Sequence, residues 1–244
     1  LGAIYHRNGW VKACSVLITG ANRGLGLEMV RQLVEGPCTA QEIFAGCCSP
    51  EGPRSKALKD LVEKYPDIIT VVPLVLTPTA LKCLQRLQVG DKGLNVLVNN
   101  AGVLAHREMQ DTSDNNMLCA FTTNVIGPVS VTKEYLPYLC VAARSSGEPA
   151  ISCCKATCSN STLVSKHIVQ NMFLKLRLSD IGSASVSQAG LNMLTVCAAL
   201  ELKKDVVLCT ALDSDVEGLL KVMSSLNEQH HGGFFDYAGN TVPW

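Results

Sequence analysis

The chain has 244 residues, 47% of them apolar and 17% charged, which suits one large α/β domain and excludes a disordered chain. Lysine plus arginine equals aspartate plus glutamate at 21 each, so no long-range field draws it to nucleic acid or to an anionic membrane. No stretch approaches a membrane span, and Leu1–Trp10 lacks the apolar core of a signal peptide. There is no starting Met, and the expectation is a chain incomplete at its front end.

In chain order, the apolar run Cys14–Thr19 predicts a strand, followed by a helix over Gly24–Glu35 that stops at Gly36-Pro37. Glu42–Cys47 reads as a second strand, and Pro53 opens a helix through Lys64, where a missing N–H costs least. Ile68–Leu76 is rich in β-branched residues although Pro73 interrupts it, and Thr77-Pro78 begins a third helix to about Gln88. Leu94–Val98 reads as a short buried strand ending at Asn99-Asn100-Ala101-Gly102. A long helix is expected over Asp114–Ala143, kinked near Gly127-Pro128.

From Arg144 to Asn171 the periodicity dissolves into Ser, Cys, Asn and Thr, and the expectation is a long irregular insert. Phe173–Ser179 is then expected as a strand, although its alternation is odd for a central parallel strand. Helix over Gln188–Leu202, strand over Val206–Leu212, helix over Asp215–Leu226 and a last strand at Gly233–Phe235 complete the pattern. Strands alternating with helices predict an α/β fold, a Rossmann-like doubly wound parallel sheet, as one domain over 1–244 with an extra segment at 1–12.

Twelve cysteines include the pairs Cys47-Cys48 and Cys153-Cys154, and others sit in apolar runs at Cys14, Cys197 and Cys209. Adjacent pairs and core placement suit reduced thiols and a cytoplasmic protein better than a disulfide framework. Cys153, Cys154 and Cys158 with His167 would be the candidate metal set, but no second His and no paired CxxC complete it, so no metal is expected.

Chemistry concentrates in Thr19-Gly20-Ala21-Asn22-Arg23-Gly24-Leu25-Gly26, placed between a strand and an amphipathic helix. Glycines let backbone approach a pyrophosphate, and the helix N-terminus behind them offers free N–H groups and the positive end of the dipole. The bland alternative is a tight strand-to-helix turn that binds nothing. An NAD site usually carries an acid at the end of the second strand; here stands Ala45-Gly46-Cys47-Cys48. Arg23 is either a solvated arginine or the partner of the 2′-phosphate of NADPH, which makes NADP the favoured cofactor.

These pieces, with Asn99-Asn100-Ala101-Gly102 and Thr123-Asn124-Val125, resemble the short-chain dehydrogenases/reductases. Gly218-Leu219-Leu220-Lys221-Val222, Gly233-Phe234-Phe235-Asp236-Tyr237, Pro243-Trp244 and Ile43-Phe44-Ala45 narrow the resemblance to the sniffer/C-factor group of carbonyl reductases. The resemblance implies hydride transfer to a small carbonyl substrate, with cofactor contacts at Gly20, Asn22, Arg23, Gly24, Leu25, Gly26, Asn100, Ala101 and Gly102. It implies catalytic roles for Asn124 and Ser179, and a homodimer built on the helices near 114–143 and 188–202.

The family's Tyr-x-x-Ser-Lys pattern reads here Ala184-Ser185-Val186-Ser187-Gln188, so alanine and glutamine replace the acid and the lysine. None of the tyrosines at 5, 65, 135, 138 and 237 has a lysine four residues later. Losing a positioned acid costs on the order of 10²–10⁴-fold in rate. The family's Asp after the third strand is replaced by Val75 and its Arg after the second by Cys48, while the turn after Leu212 is expected to be deleted. Three readings stay open: a reductase with another proton donor, a catalytically dead dinucleotide-binding or dimerisation module (a pseudoenzyme), and a non-functional variant product.

Overall fold

In a computed structural model of the chain, the described residues are 15–36, 40–76, 92–103, 113–146, 150–155, 183–212, 216–236 and 238–242. Strands β1 (Ser15–Thr19), β2 (Glu42–Cys47), β3 (Ile69–Pro73), β4 (Val96–Asn99), β5 (Ala150–Lys155), β6 (Val207–Leu212) and β7 (Phe234–Phe235) form one sheet in the order β3-β2-β1-β4-β5-β6-β7. Every pairing is parallel. The order reverses between β1 and β4, and in open α/β sheets that switch point is where ligands bind.

Central strands must be apolar on both faces when helices cover both, and β1, β4 and β6 are buried along their whole length. Alternation divides them. Val16, Ile18, Val96, Val98, Leu208 and Leu212 face one layer with Met29, Val30 and Leu33 of helix α1 (Gly24–Glu35), Leu58 and Leu61 of α2 (Lys56–Lys64), and Leu220 and Met223 of a later helix over Val216–Ser225. Leu17, Leu97, Val207 and Cys209 face the other layer, formed by helices over Gly127–Ser146 and Ser183–Leu202.

The long helix expected over Asp114–Ala143 is three pieces: α3 (Asp114–Phe121), a π turn at Thr122–Ile126, and α4 (Gly127–Ser146). Pro128 has no N–H, so the carbonyl of Asn124 loses its ordinary helical donor and the turn widens just before the proline. Within it the Gly127 N–H bonds the Thr122 carbonyl, the five-residue spacing of a π turn.

One expectation is corrected. The segment read as irregular from Arg144 contains the end of α4, and β5 at Ala150–Lys155 lies between β4 and β6. Serine and two cysteines hid a short strand whose sequence lacks the usual Val and Ile density. Phe173–Ser179, expected to fill that place, lies outside the described residues, as does the helix expected over Thr77–Gln88. Helix α5 (Ser183–Leu202) begins five residues earlier than expected, and α6 is the helix Val216–Ser225.

His231 stitches α5 to the sheet. The Cys209 N–H donates to His231 Nδ1 at 3.2 Å, and Nε2 lies 2.6 Å from the Ala199 carbonyl. A carbonyl only accepts and an amide N–H only donates, so this geometry requires the tautomer protonated at Nε2. Leu97 is fully buried in the layer that α4 and α5 cover. Leu97→Ala is expected to cost about 2–5 kcal/mol in denaturant unfolding, whereas exposed Leu118→Ala shifts stability by no more than about 0.5 kcal/mol.

Candidate functional site

Two turns meet at the switch point. Thr19, buried at the end of β1, accepts at Oγ1 from the backbone N–H groups of Asn100 (3.0 Å) and Ala101 (2.9 Å). Asn100 Nδ2 answers by donating to the carbonyls of Thr19 (2.8 Å) and Gly20 (3.3 Å). The glycine turn after β1 and the turn after β4 therefore hold each other.

Glycine is required here for two distinct reasons. Gly20 has φ +68°, and a Cβ there would lie 2.9 Å from Ala101 Cα. Gly26 is needed for space alone: a Cβ would run into the Gly20 carbonyl and come within 2.6 Å of Asn100 Nδ2. Gly24 has φ +55° with open space around it. Arg23 occupies the N-cap position of α1 in extended conformation, makes no side-chain cap, and no acid stands in the first turn. The positive end of a twelve-residue helix therefore opens at an exposed glycine and arginine without a carboxylate to satisfy it. That donor set and that close-packed cradle fit a dinucleotide pyrophosphate.

The remaining expected contacts distribute around this cradle. Asn22 and Leu25 are half-buried, Leu25 against the core; Asn100 and Ala101 are half-buried, and Gly102 is exposed. At the end of β2, Cys47 is buried and Cys48 exposed, and burial pushes the Cys47 thiol up despite a hydrogen bond from Ser55.

Asn124 sits in the π turn with its amide engaged. Oδ1 accepts from the Val103 N–H at 2.8 Å, while Nδ2 donates to the Val103 carbonyl at 3.0 Å and to Ser187 Oγ at 3.0 Å. One side chain thereby joins the turn after β4, the π turn and α5. Ala184 and Gln188 lie one helical turn apart on α5, and Gln188 is half-buried. Ser179 lies outside the described residues, as do Cys158 and His167; among the described residues no group of His, Cys, Asp or Glu could hold a metal. Tyr135 is fully buried in the core, and burial is the chief reason its hydroxyl is pushed up to about 12.

Thr19 and Ser187 were missed as site residues in the sequence. Both had a signal: a hydroxyl closing an otherwise apolar strand, and the serine of the Tyr-x-x-Ser-Lys pattern standing unchanged. β6 ends at Leu212 and α6 begins at Val216, so only three residues join them.

The model of the short chain dehydrogenase family matches residues 15–156. The chain belongs to that family. Among solved structures, an NADPH-bound carbonyl reductase from chicken fatty liver is 29% identical with a TM-score of 0.83, covering 98% of this chain and 97% of that one. Carbonyl reductase Sniffer of D. melanogaster is 25% identical with a TM-score of 0.77, covering 95% and 99%. The C-signal protein of Myxococcus xanthus is 27% identical over 172 residues, 62% of this chain and 93% of that protein. The architecture is that of the carbonyl reductases.

Gly26→Ala tests the cradle. Overpacking at this position is expected to cost about 1–3 kcal/mol in chemical unfolding, while Gly24→Ala acts through φ strain alone and leaves the Thr19–Asn100 contacts in place.

Proposed function

We propose that the protein binds NADPH on the glycine turn in the manner of a carbonyl reductase, and that it reduces carbonyls weakly or not at all. The observation that carries the first half is the uncapped N-terminus of α1 behind a glycine cradle clasped by Asn100. An NADPH-bound carbonyl reductase of matching architecture supports it. Arg23, exposed at the mouth of that turn, is the cation for the 2′-phosphate.

The second half follows from α5. A bound nicotinamide would supply hydride to a carbonyl carbon, and the carbonyl oxygen then needs a proton. Ala184 has none to give, and Gln188 carries no charge to lower a neighbour's pKa or to hold the nicotinamide ribose. Asn124 keeps its position, held by Val103 and Ser187, and Ser179 remains the family-matched serine. The protein on this reading is a dinucleotide-binding member of the family, with residual turnover set by water as the proton source.

Calorimetric titration of NADPH into monodisperse protein tests both halves. Micromolar binding is expected, weakened about tenfold by Arg23→Ala. Turnover of a panel of aldehydes and ketones is expected to rise by about 10²-fold or more in the double variant Ala184→Tyr with Gln188→Lys. A folded sample that binds no NADPH overturns the whole reading.

A homodimer belongs to the same proposal. Helix α5 carries no charge before Glu201, and its outer side exposes Val186 (53%), Met193 (62%) and Leu200 (77%). Phe121 of α3 continues this surface, its ring 3.3 Å from where a Cβ on Gly190 would stand. An apolar stripe of this kind marks an interaction surface. Light scattering is expected to give a dimer mass that Met193→Glu converts to a monomer; an unchanged monomer in the parent chain removes the dimer. The free thiols of Cys48, Cys119 and Cys197, all exposed, suit a reducing, cytoplasmic setting, and no described helix is long and apolar enough to cross a membrane.

A further inference from the structure

Strand β7 is two residues long and pairs with β6 at Ala211 and Leu212. Two residues earlier on the same edge of β6, the Cys209 carbonyl accepts from the Gly232 N–H at 2.8 Å, and the Cys209 N–H donates to His231 Nδ1 at 3.2 Å. An imidazole nitrogen thus takes the ladder bond that a strand carbonyl would otherwise accept. The other ring nitrogen reaches α5, 2.6 Å from the Ala199 carbonyl. The chain runs so close to α5 here that a Cβ on Gly232 would lie 3.3 Å from Ala199 Cβ. His231 is half-buried, so the ring that closes this seam stays within reach of solvent protons.

The two ring nitrogens serve in opposite senses, Nδ1 as acceptor and Nε2 as donor. A second proton on Nδ1 turns the acceptor into a donor that faces another donor, the Cys209 N–H. The bond to α5 is not lost in the same step: Ala199 lies in the last turn of that helix, where the carbonyls and the negative end of the dipole favour a cation. The neighbouring His230 differs, because its Nδ1 lies 2.9 Å from Asn227 Oδ1 as well as 3.1 Å from the Asn227 backbone nitrogen, so a protonated ring keeps an acceptor. The elements around His231 carry Cys209 on β6, Glu201 and Lys203 at the end of α5, and Glu228 on the turn before it. Glu201, Lys203 and Glu228 are exposed, and Asp236 beyond β7 is spent on the N–H groups of Ala238 and Asn240. We infer that His231 is a proton-operated latch. Neutral, it joins β6 to α5; with a second proton it stays on the last turn of α5 and releases the edge of β6 at Cys209. The seam it closes seats the helix whose Ser187 holds Asn124.

Residue-resolved amide exchange, followed by NMR on the full chain, tests the latch. Protection of the Cys209 amide, corrected for the intrinsic pH dependence of exchange, is expected to fall about tenfold between about pH 7.5 and about pH 5.5. Protection of Leu17 in the middle of β1 is expected to stay level over the same range. His231→Gln, whose amide offers an acceptor and a donor and does not titrate, is expected to abolish the pH dependence at Cys209. His230→Gln is expected to keep it. Constant protection of Cys209 in the parent chain overturns the inference, and so does a loss that persists in His231→Gln. If His231→Gln does not fold, the nitrogen shifts of the parent's His231 ring decide. Nδ1 is expected to gain its proton in step with the loss at Cys209, and a loss with the ring unchanged overturns the latch.

Discussion

The Thr19–Asn100 clasp is the constraint on which the site end of the sheet depends. β1 and β4 are neighbours whose helices leave in opposite directions, so the turns beyond them are not held by ladder hydrogen bonds. A buried hydroxyl taking two backbone N–H groups, and an amide returning two bonds to carbonyls, satisfy polar groups that the crevice would otherwise strand. The absence of side chains at Gly20 and Gly26 follows from that closeness. With the two turns locked, the first turn of α1 is aimed into the switch point, and Val103 is presented to Asn124. Each further part of the site is positioned by the one before it.

Much of this was legible before any coordinates. The limits of α1 and β2 agree with the sequence reading residue for residue, because each combines a strong period with a sharp stop. β5 was not legible. Ala150-Ile151-Ser152-Cys153-Cys154-Lys155 holds one β-branched residue, and an alternating stretch further on, Phe173–Ser179, looked more like a strand than it did. What identifies β5 is its pairing on both sides, a non-local property that no local pattern records. The break in the long helix was legible in its cause, Pro128, but its form was not, since proline dictates a missing donor and not how the backbone relaxes.

The glycine cradle was legible as a motif, whereas its clasp was only half so. Asn100 stood out through its neighbours; Thr19 looked like the last residue of an apolar strand. Ser187 carries only a weak signal in the sequence, an unchanged serine between two replaced positions, and its role shows in the hydrogen bond from Asn124. The site thus divides by physical duty. Gly20, Gly26, Asn100 and Asn124 are each needed to fold the crevice, whatever enters it. Positions 184 and 188 lie one turn apart on a helix, where alanine and glutamine are good helix formers.

The π turn has a further consequence. Its occasion is a missing hydrogen on one imino acid, and its form is held by the protein's own contacts, the Asn124 amide bonding Val103 and Ser187. Asn124 therefore stands in position before any ligand arrives, and no part of a ligand's affinity is consumed in arranging it. In thermodynamic terms that wall of the crevice adds no ordering entropy to the cost of association, and a ligand meets it as it would meet a rigid surface.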